Sequence, residues 1–341
     1  MLNNLEILSN LPGVSGREEQ VREYILEQIT PLADKITVDA CGSVIALKKG
    51  ARAPEHRLMI SAHMDEVGLI ITRIMSNGLL RFDTVGGIDP RVLAGRTVLC
   101  GDQRIPGVIG MLPVHLSKGD TKGKCPKAEE MTIDIGADSA DEVKKLLAPG
   151  DVCVFDTTFE QIGDGMLKGK ALDDRAGCAV LIELMKQELP YDTYFVFCTM
   201  EEVGLRGAKC AAFTVDPHYA LVIEATTAAD IAGVDEDHQV CHVGGGAVVG
   251  FMDRRTIYDR ELYLKALEIG RTKGISVQTK QAVAGGNDAG AIQTTRGGVR
   301  TLAISLPCRY LHAPAALISE IDLLAVSELT LEMARELLES K

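Results

Sequence analysis

Apolar positions at both ends of the chain alternate between strand-like and helix-like patterns. Compact apolar runs at 44–47, 58–61 and 194–198 have the length and the β-branched or aromatic content of buried strands. Longer stretches at 176–189 and 319–338 carry apolar residues at helical spacing. Strands that alternate with helices in this way predict an α/β fold, with a mixed sheet covered by helices on both sides.

The segment from 67 to 163 has a different pattern of apolar residues. Its apolar pieces are short and are broken by glycine, proline and aspartate, and long amphipathic stretches are scarce. This pattern is typical of a small β-rich domain, either a barrel or a sandwich. We therefore expect residues 1–66 and 164–341 to form one discontinuous α/β domain, with residues 67–163 inserted into it as a second domain.

Near the N-terminus, Ser15 and Glu18 stand three residues apart before an amphipathic stretch. This spacing predicts a capping box, in which the two side chains satisfy free amides at the start of a helix. We therefore expect a helix to begin at this point of the chain.

Composition and charge narrow the function classes. The chain of 341 residues is 46% hydrophobic, as in ordinary soluble proteins, and its formal net charge of −12 disfavours nucleic acids and anionic membranes as partners. The first residues lack the pattern of a signal peptide, and no apolar run is long enough to span a membrane. Its 9 cysteines are scattered without a CxxC pair, which favours reduced thiols. We expect a soluble, cytoplasmic protein.

Five polar clusters stand at the ends of predicted elements. They are His63 with Asp65, Asp173 with Asp174, Glu201 with Glu202, Glu224, and His312. Each has an ordinary structural explanation when taken alone, such as a helix cap or a solvated loop. Ligand sites of open α/β folds gather at the carboxyl ends of strands, so these clusters can converge although they are distant in sequence.

The chemistry of this set suits a pair of divalent ions. Two imidazoles and several carboxylates offer the mixed nitrogen and oxygen ligands that zinc, cobalt or manganese accept. One carboxylate can bridge two ions about 3.5–4 Å apart, the spacing of two-metal hydrolases. We expect His63 to bind one ion, and Asp65, two residues further on, to orient the imidazole ring.

The clusters lie in longer motifs that resemble those of the M42 family of metallo-aminopeptidases, which includes glutamyl aminopeptidases and the tetrahedral TET peptidases. The motifs are 61–68 (SAHMDEVG), 170–175 (KALDDR), 201–208 (EEVGLRGA), 284–289 (AGGNDA) and 309–314 (RYLHAP). The likeness runs essentially from end to end. It implies a zinc-peptidase-like catalytic domain with an inserted small β-barrel domain.

The resemblance also implies roles for individual residues. A dinuclear site would have His63, Asp173, Glu202, Glu224 and His312 as ligands, with Asp173 as the bridge and Glu201 as the general base. The inserted domain, 67–163, would serve assembly into dimers and then into tetrahedral dodecamers.

Two stretches depart from the family pattern. Most members carry Asp where this chain has Glu224, and the longer carboxylate could change the metal that is bound. Residues 250–255 are more charged than the resemblance implies. Arg254 and Arg255 in this stretch either border the substrate pocket or form a solvated turn, and we favour the turn.

We therefore expect a dinuclear metal-dependent aminopeptidase that releases N-terminal residues from short peptides. A water bridging two ions, zinc or cobalt in preference to manganese, would be activated by the metals and by Glu201. Some members of the family are called endoglucanases, and a glycoside hydrolase built on two carboxylates is one alternative. An aromatic content of 4% without tryptophan offers few platforms for sugar rings. A catalytically silent, peptide-binding assembly protein is the other alternative.

Overall fold

The fold is seen in a computed structural model, which describes residues 1–53, 55–116 and 125–338. The helices are α1 (Leu2–Asn10), α2 (Glu19–Ile29), α3 (Ala140–Val143), α4 (Leu172–Leu184), α5 (Arg206–Val215), α6 (Arg260–Lys273), α7 (Ala289–Gln293) and α8 (Glu320–Glu336). The strands are β1 (Lys35–Val38), β2 (Val44–Lys48), β3 (Leu58–His63), β4 (Gly68–Ile74), β5 (Leu80–Val85), β6 (Thr97–Cys100), β7 (Ile105–Gly110), β8 (Thr132–Asp134), β9 (Val152–Phe155), β10 (Glu160–Ile162), β11 (Met166–Gly169), β12 (Thr193–Cys198), β13 (Tyr219–Thr227), β14 (Ala247–Val249), β15 (Val277–Thr279), β16 (Arg300–Cys308) and β17 (Ala316–Ser319).

The largest element is an 8-stranded mixed sheet in the order β1-β2-β12-β3-β13-β16-β14-β15. Its four middle strands, β12, β3, β13 and β16, are parallel to one another. Antiparallel pairs extend the sheet on both sides, where β2 joins β12 and β14 joins β16. The predicted α/β fold with a mixed sheet is therefore confirmed.

Two groups of helices pack on this sheet. Helix α4 lies against β3 and β13 and also contacts α1 and α8, whereas α5 and α7 contact each other and the strands β12, β13 and β16. Every residue of β3 is buried, as expected for a central strand covered on both faces. None of the helices in the described ranges combines the length and the apolar character that a membrane crossing requires.

A closed barrel of six strands follows β3 in the chain, in the order β4-β5-β8-β7-β6-β9. It has its own apolar core, separate from the core of the large sheet, in which Leu69, Leu80, Val98 and Ile133 are fully buried. The predicted β-rich insertion is therefore a barrel and not a sandwich. The two-domain division at 66/67 and 163/164 stays a prediction.

A third, three-stranded sheet was not expected from the sequence. It has the order β10-β11-β17, and Gly169 of β11 pairs with Ala316 of β17. Strand β11 leads directly into α4, and β17 follows the segment that carries His312. The pairing of these strands therefore brings the start of α4 beside His312.

Of three local predictions, two were wrong. Helix α2 begins at Glu19, and Ser15 does not cap it; the Ser15 hydroxyl instead donates to Asp65 Oδ2 at 2.6 Å. The helix predicted from Ala176 is present in α4; the element extends back to Leu172, but Asp173 and Asp174 have non-helical dihedral angles and a cis peptide bond between them, so the regular helix begins just after them. Strand β13 continues past Ile223, so Glu224 lies inside the strand.

The loop between β12 and α5, residues 199–205, is held against the sheet by a close approach at Gly207. The Gly207 amide donates to the Thr199 carbonyl at 2.9 Å. A Cβ at position 207 would lie 2.4 Å from that carbonyl oxygen and 2.6 Å from Ser43 Oγ. Only glycine lets α5 begin this close to the loop that carries Glu201 and Glu202.

We predict that Gly207→Ala destabilises the protein by about 1–3 kcal/mol, because the added methyl group overpacks a rigid contact. Alanine favours a helix over glycine by up to about 1 kcal/mol, so a net loss would show that the clash dominates. The free energy of unfolding measured in denaturant tests this.

Gly297→Ala is the matched control, since a Cβ at that position meets no atom within 4 Å. We expect it to change the free energy of unfolding by less than about 0.5 kcal/mol. Equal stability of the two variants would contradict this account of the loop.

Candidate metal centre

The polar clusters predicted from the sequence converge at one edge of the sheet. His63 is the last residue of β3, Glu224 lies in the neighbouring β13, and Glu202 and His312 follow β12 and β16. These four strands are adjacent and parallel, so their carboxyl ends meet. Asp173 reaches the same place from the start of α4.

His63 forms the first part of the cluster. Its Nε2 atom lies 3.3 Å from Asp173 Oδ1 and 3.8 Å from Glu224 Oε2. His63 and Glu224 are both buried, and the second carboxylate oxygen of Glu224, Oε1, has no hydrogen-bond partner in the described part of the chain. These three side chains form a group that could hold a metal ion.

His312 forms the second part. Its Nε2 atom lies 3.3 Å from Asp173 Oδ2 and 3.3 Å from Glu202 Oε1, and its Nδ1 atom lies 3.0 Å from the Gly87 carbonyl oxygen. Asp173, Glu202 and His312 form another group that could hold an ion. The two oxygens of Asp173 thus face the two groups, one each.

Asp65 connects the first histidine with the loop that carries the two glutamates. Its Oδ1 atom lies 3.3 Å from His63 Nδ1, a close contact without hydrogen-bond alignment, and accepts the Glu201 amide at 3.0 Å. Its Oδ2 atom accepts the Glu202 amide at 3.1 Å and the Ser15 hydroxyl. Asp65 therefore contacts His63, as the sequence predicted. It also holds the backbone of Glu201 and Glu202 in place by accepting their amides.

Three residues near the site were missed by the sequence analysis. Ser15 supports Asp65, and Glu18 Oε1 accepts the Met200 amide at 3.1 Å and so holds the same loop. Asp288 is fully buried, and burial raises its pKa to about 7. The motif 284–289 contained Asp288, but Ser15 and Glu18 had no signal apart from the capping spacing.

The electrostatics of the cluster are dominated by burial. Burial raises the pKa of Glu224 well above its ordinary value and does the same for Glu201, with neighbouring acids adding to both shifts and His63 opposing them. Burial alone would lower the pKa of His312, but the adjacent carboxylates of Asp173 and Glu202 raise it to about 11. The carboxylates in this space therefore favour any added positive charge.

A cavity of about 340 Å³ opens onto the cluster. Its charged lining comprises the acids Asp173, Glu201, Glu202 and Glu224 together with His312, Arg255 and Lys280. Arg255 thus borders the pocket although its side chain is exposed, and the solvated turn that we favoured is wrong for this residue. Arg254 is exposed and does not line the cavity.

The arrangement has the parts of a hydrolytic site. It combines imidazole and carboxylate donors that could bind ions, a further carboxylate available for proton transfer and an open cavity for a substrate. An α/β fold with such a cluster at the carboxyl edge of its sheet defines the class of the protein as a hydrolase whose site can hold metal.

Comparisons with known proteins give the family. The model of the M42 glutamyl aminopeptidase family matches residues 42–329, and the chain therefore belongs to this family of peptide-bond hydrolases. The lysyl aminopeptidase of Pyrococcus furiosus is 32% identical over 337 residues, which are 96% of this chain and 94% of that protein.

Two solved structures are similar over nearly their whole length. The TET1 peptidase of Pyrococcus horikoshii, which can assemble into a tetrahedron or a large octahedral shell, has a TM-score of 0.87 at 36% identity, with 98% of this chain and 99% of that chain covered. A structure from Thermotoga maritima named an endoglucanase has a TM-score of 0.81 at 34% identity, with the same coverage.

Proposed function

We propose that this aminopeptidase acts through a dinuclear metal site and releases N-terminal residues from short peptides. The observation that carries the proposal is the position of Asp173, whose two oxygens lie 3.3 Å from His63 and 3.3 Å from His312. A carboxylate between two histidine groups has the placement that a bridging ligand requires.

The residues present fit two divalent ions. His63 and Glu224 would hold one ion, Glu202 and His312 would hold the other, and Asp173 would contact both. The buried Glu224 Oε1, which lacks a partner in the described ranges, supports a ligand role for this carboxylate although most relatives carry Asp there. Mixed nitrogen and oxygen donors suit zinc or cobalt, and manganese less well. When bound, the ions would polarise the scissile carbonyl and make water a stronger acid.

Glu201 is the general base in this proposal. It lines the cavity and stands outside the two groups that share Asp173, so it is free to exchange a proton. Burial raises its pKa well above the ordinary value, towards the range in which a carboxylate both accepts and returns a proton. Glu201 would take a proton from the attacking water and deliver it to the leaving amine, and Asp65 would position it by accepting its amide.

We predict that Glu201→Gln keeps its metal and loses most of its turnover, by about 10²–10⁴-fold, because only the proton acceptor is removed. Metal content per chain and kcat on an aminoacyl-anilide are measured on the same sample.

Glu202→Gln is the matched variant, since it alters the neighbouring carboxylate, which we assign as a ligand. We expect this variant to lose metal as well as turnover. His63, Glu201 and Glu202 form a further group that could hold an ion. Loss of metal from Glu201→Gln, or retention of most of its activity, would therefore contradict the assignment of the base.

The same cavity supports a preference for peptides with an acidic N-terminal residue. Two divalent ions would balance the four carboxylates of the lining and leave Arg255 and Lys280 uncompensated. In the described parts of the chain Lys280 makes its side-chain hydrogen bond to a backbone carbonyl, and Asp253 and Glu224 act on it only through longer-range attraction. An acidic side chain in the cavity would supply the missing negative charge.

The glycine-rich segment 284–286 beside the cavity contacts both cations, Arg255 and Lys280. A Cβ on Gly286 would lie 2.7 Å from Arg255 Cγ, so the absence of a side chain there makes room for the arginine. Lys280 Nζ donates to the Ala284 carbonyl at 2.9 Å. Burial lowers the pKa of Lys280, and a carboxylate bound beside it would favour its charged form.

We predict that wild-type protein cleaves glutamyl-anilide with a higher kcat/KM than leucyl- or lysyl-anilide, and that Lys280→Met and Arg255→Gln each reduce this preference by about tenfold. That ratio corresponds to about 1.4 kcal/mol of selective binding. Arg254→Gln is the control and should keep the wild-type ratio. A wild-type preference for lysyl-anilide would contradict the proposed pocket.

The glycoside hydrolase alternative finds little support in the cavity. The acids that such a reaction would need lie against His63 and His312, which a sugar mechanism leaves without a role. The residues that line the cavity in the described ranges include no phenylalanine, tyrosine or tryptophan on which a sugar ring could stack. The alternative of a catalytically silent assembly protein is disfavoured because all the proposed metal ligands and the proposed base, Glu201, are present.

We also propose that the chain forms homo-oligomers, with dimers that build a tetrahedral dodecamer, and that residues 67–163 form the assembly domain. The assembling TET1 structure supports this proposal. Three apolar residues on and after barrel strand β7 are exposed in the single chain, as residues of a contact between subunits would be: Val108 by 47%, Met111 by 52% and Leu112 by 58%.

We predict a particle of twelve chains in light scattering and dissociation to smaller species when Met111 and Leu112 are both changed to Glu, because buried charge destabilises an apolar contact. The matched control is Leu264→Glu, an apolar position on α6 whose exposed fraction is 44%. A monomeric wild-type protein would contradict the assembly proposal and leave the catalytic proposal untouched.

A further inference from the structure

Two cysteines meet outside the metal centre. Cys41 lies in the turn between β1 and β2, Cys210 lies in α5, and their sulfur atoms are 3.5 Å apart, with the Cys41 thiol donating to Cys210. Cys210 is exposed and Cys41 is partly exposed, and both are free thiols. They are 169 positions apart in the chain, so the fold itself brings them together.

We propose that Cys41 and Cys210 are a thiol-modification site, which low-molecular-weight disulfides of the glutathione type oxidise to an intramolecular disulfide. The exchange balances without any other reagent. The Cys210 sulfur attacks the small disulfide and releases one thiol, and the Cys41 sulfur then attacks the mixed disulfide and releases the second. The two cysteines lose two electrons and two protons, and the small disulfide gains them.

The order of the two attacks follows from the contact. Cys210 is the more accessible sulfur and accepts the hydrogen bond, which makes it the first nucleophile. Hydrogen bonding to Cys210, with burial adding to it, raises the pKa of Cys41 to about 11, so Cys41 keeps its proton until the mixed disulfide forms.

A cavity of about 490 Å³ lies beside the pair and gives a small disulfide room to approach. The cations Lys209 and Arg296 and the anion Asp39 are part of its lining, together with the apolar Phe213. A carboxylate of a glutathione-type disulfide matches the Lys209 ammonium group at this cavity. Arg296 already lies 3.7 Å from Asp216 Oδ1 and stacks on Phe213, so it adds positive charge to the cavity without being a free partner.

A metal site is a weaker explanation for this pair. The groups of His, Cys, Asp and Glu that could hold an ion, as far as the chain is described, do not include Cys41 or Cys210. Asp39 lines the adjacent cavity but does not complete such a group with them.

The barrel contains a second cysteine pair that serves as an internal comparison. Cys100 of β6 and Cys153 of β9 are register partners on adjacent strands, and their side chains interact. Both are buried in the barrel core, with exposures of 0% and 1%. Proximity alone would oxidise both pairs, whereas our proposal requires access and selects Cys41 and Cys210.

The disulfide would tie the turn that contains Cys41 to α5, on either side of the loop that follows β12. The Cys41 carbonyl accepts the Thr199 hydroxyl at 3.0 Å, and Thr199 begins that loop. Cross-links that close long loops stabilise a fold chiefly by restricting the unfolded chain. We expect oxidation to raise the unfolding midpoint by roughly 5 °C.

The test uses the reduced full-length protein, incubated without oxygen in a series of ratios of oxidised to reduced glutathione, then quenched with acid and alkylated. Peptide mass mapping finds the linked cysteines, and a thermal melt gives the midpoint. Cys41→Ser and Cys210→Ser remove the pair, and Cys125→Ser, which removes another exposed thiol, is the control.

We expect a Cys41–Cys210 linked peptide and the raised midpoint in wild-type protein and in Cys125→Ser, both reversed by dithiothreitol. Cys41→Ser should carry glutathione on Cys210 and show no rise. Absence of the linked peptide at the most oxidising ratio, or equal oxidation of Cys100 and Cys153 in the folded protein, would overturn the proposal. No step involves the metal centre, so the result is independent of the proposed catalytic function.

Discussion

The crowding of acidic side chains at one edge of the sheet is the constraint on which the rest of the site depends. Asp173, Glu201, Glu202 and Glu224 share a largely buried space with the imidazoles of His63 and His312, and Arg255 and Lys280 line the same cavity. Burial and mutual repulsion raise the pKa values of the three glutamates. Such a cluster is costly unless cations occupy it, and the two divalent ions that we propose to be held through Asp173 would satisfy the charge and the donor geometry together.

The scaffold holds these acids in place with buried polar contacts. Asp65 joins His63 to the Glu201–Glu202 loop, and Gly207 lets α5 begin directly against that loop. Beyond them, Glu66 pairs with Lys170 at 2.8 Å and lies 3.4 Å from Arg175, with all three side chains almost fully buried. This ion cluster connects the end of β3 to the residues on either side of Asp173, and it therefore helps to fix the position of the carboxylate that we propose as the bridge.

Much of this architecture could be predicted from the sequence, because strand ends are recognisable and the carboxyl ends of parallel strands meet. That rule pointed to the clusters that contain His63, Glu202 and His312, whereas Glu224 lies inside its strand, and the family resemblance supplied the choice of individual ligands such as Asp173. Contacts that depend on tertiary packing could not be found in the same way. Ser15 has the spacing of a helix cap but donates a hydrogen bond to Asp65. The charge of Arg255 does not reveal that glycines leave room for its side chain beside the cavity. The pairing of β11 with β17 joins segments almost 150 residues apart and left no local pattern.

The central claim is that bound divalent ions make this chain an aminopeptidase. The most direct measurement is hydrolysis of aminoacyl-anilides, their N-blocked counterparts and a soluble β-glucan, with chelator and after zinc or cobalt is added back. We expect cleavage of the free-amine substrates alone, lost with chelator and recovered as two ions per chain are bound. Chelator-insensitive release of sugar without amidase activity would contradict the metal site and the assigned reaction.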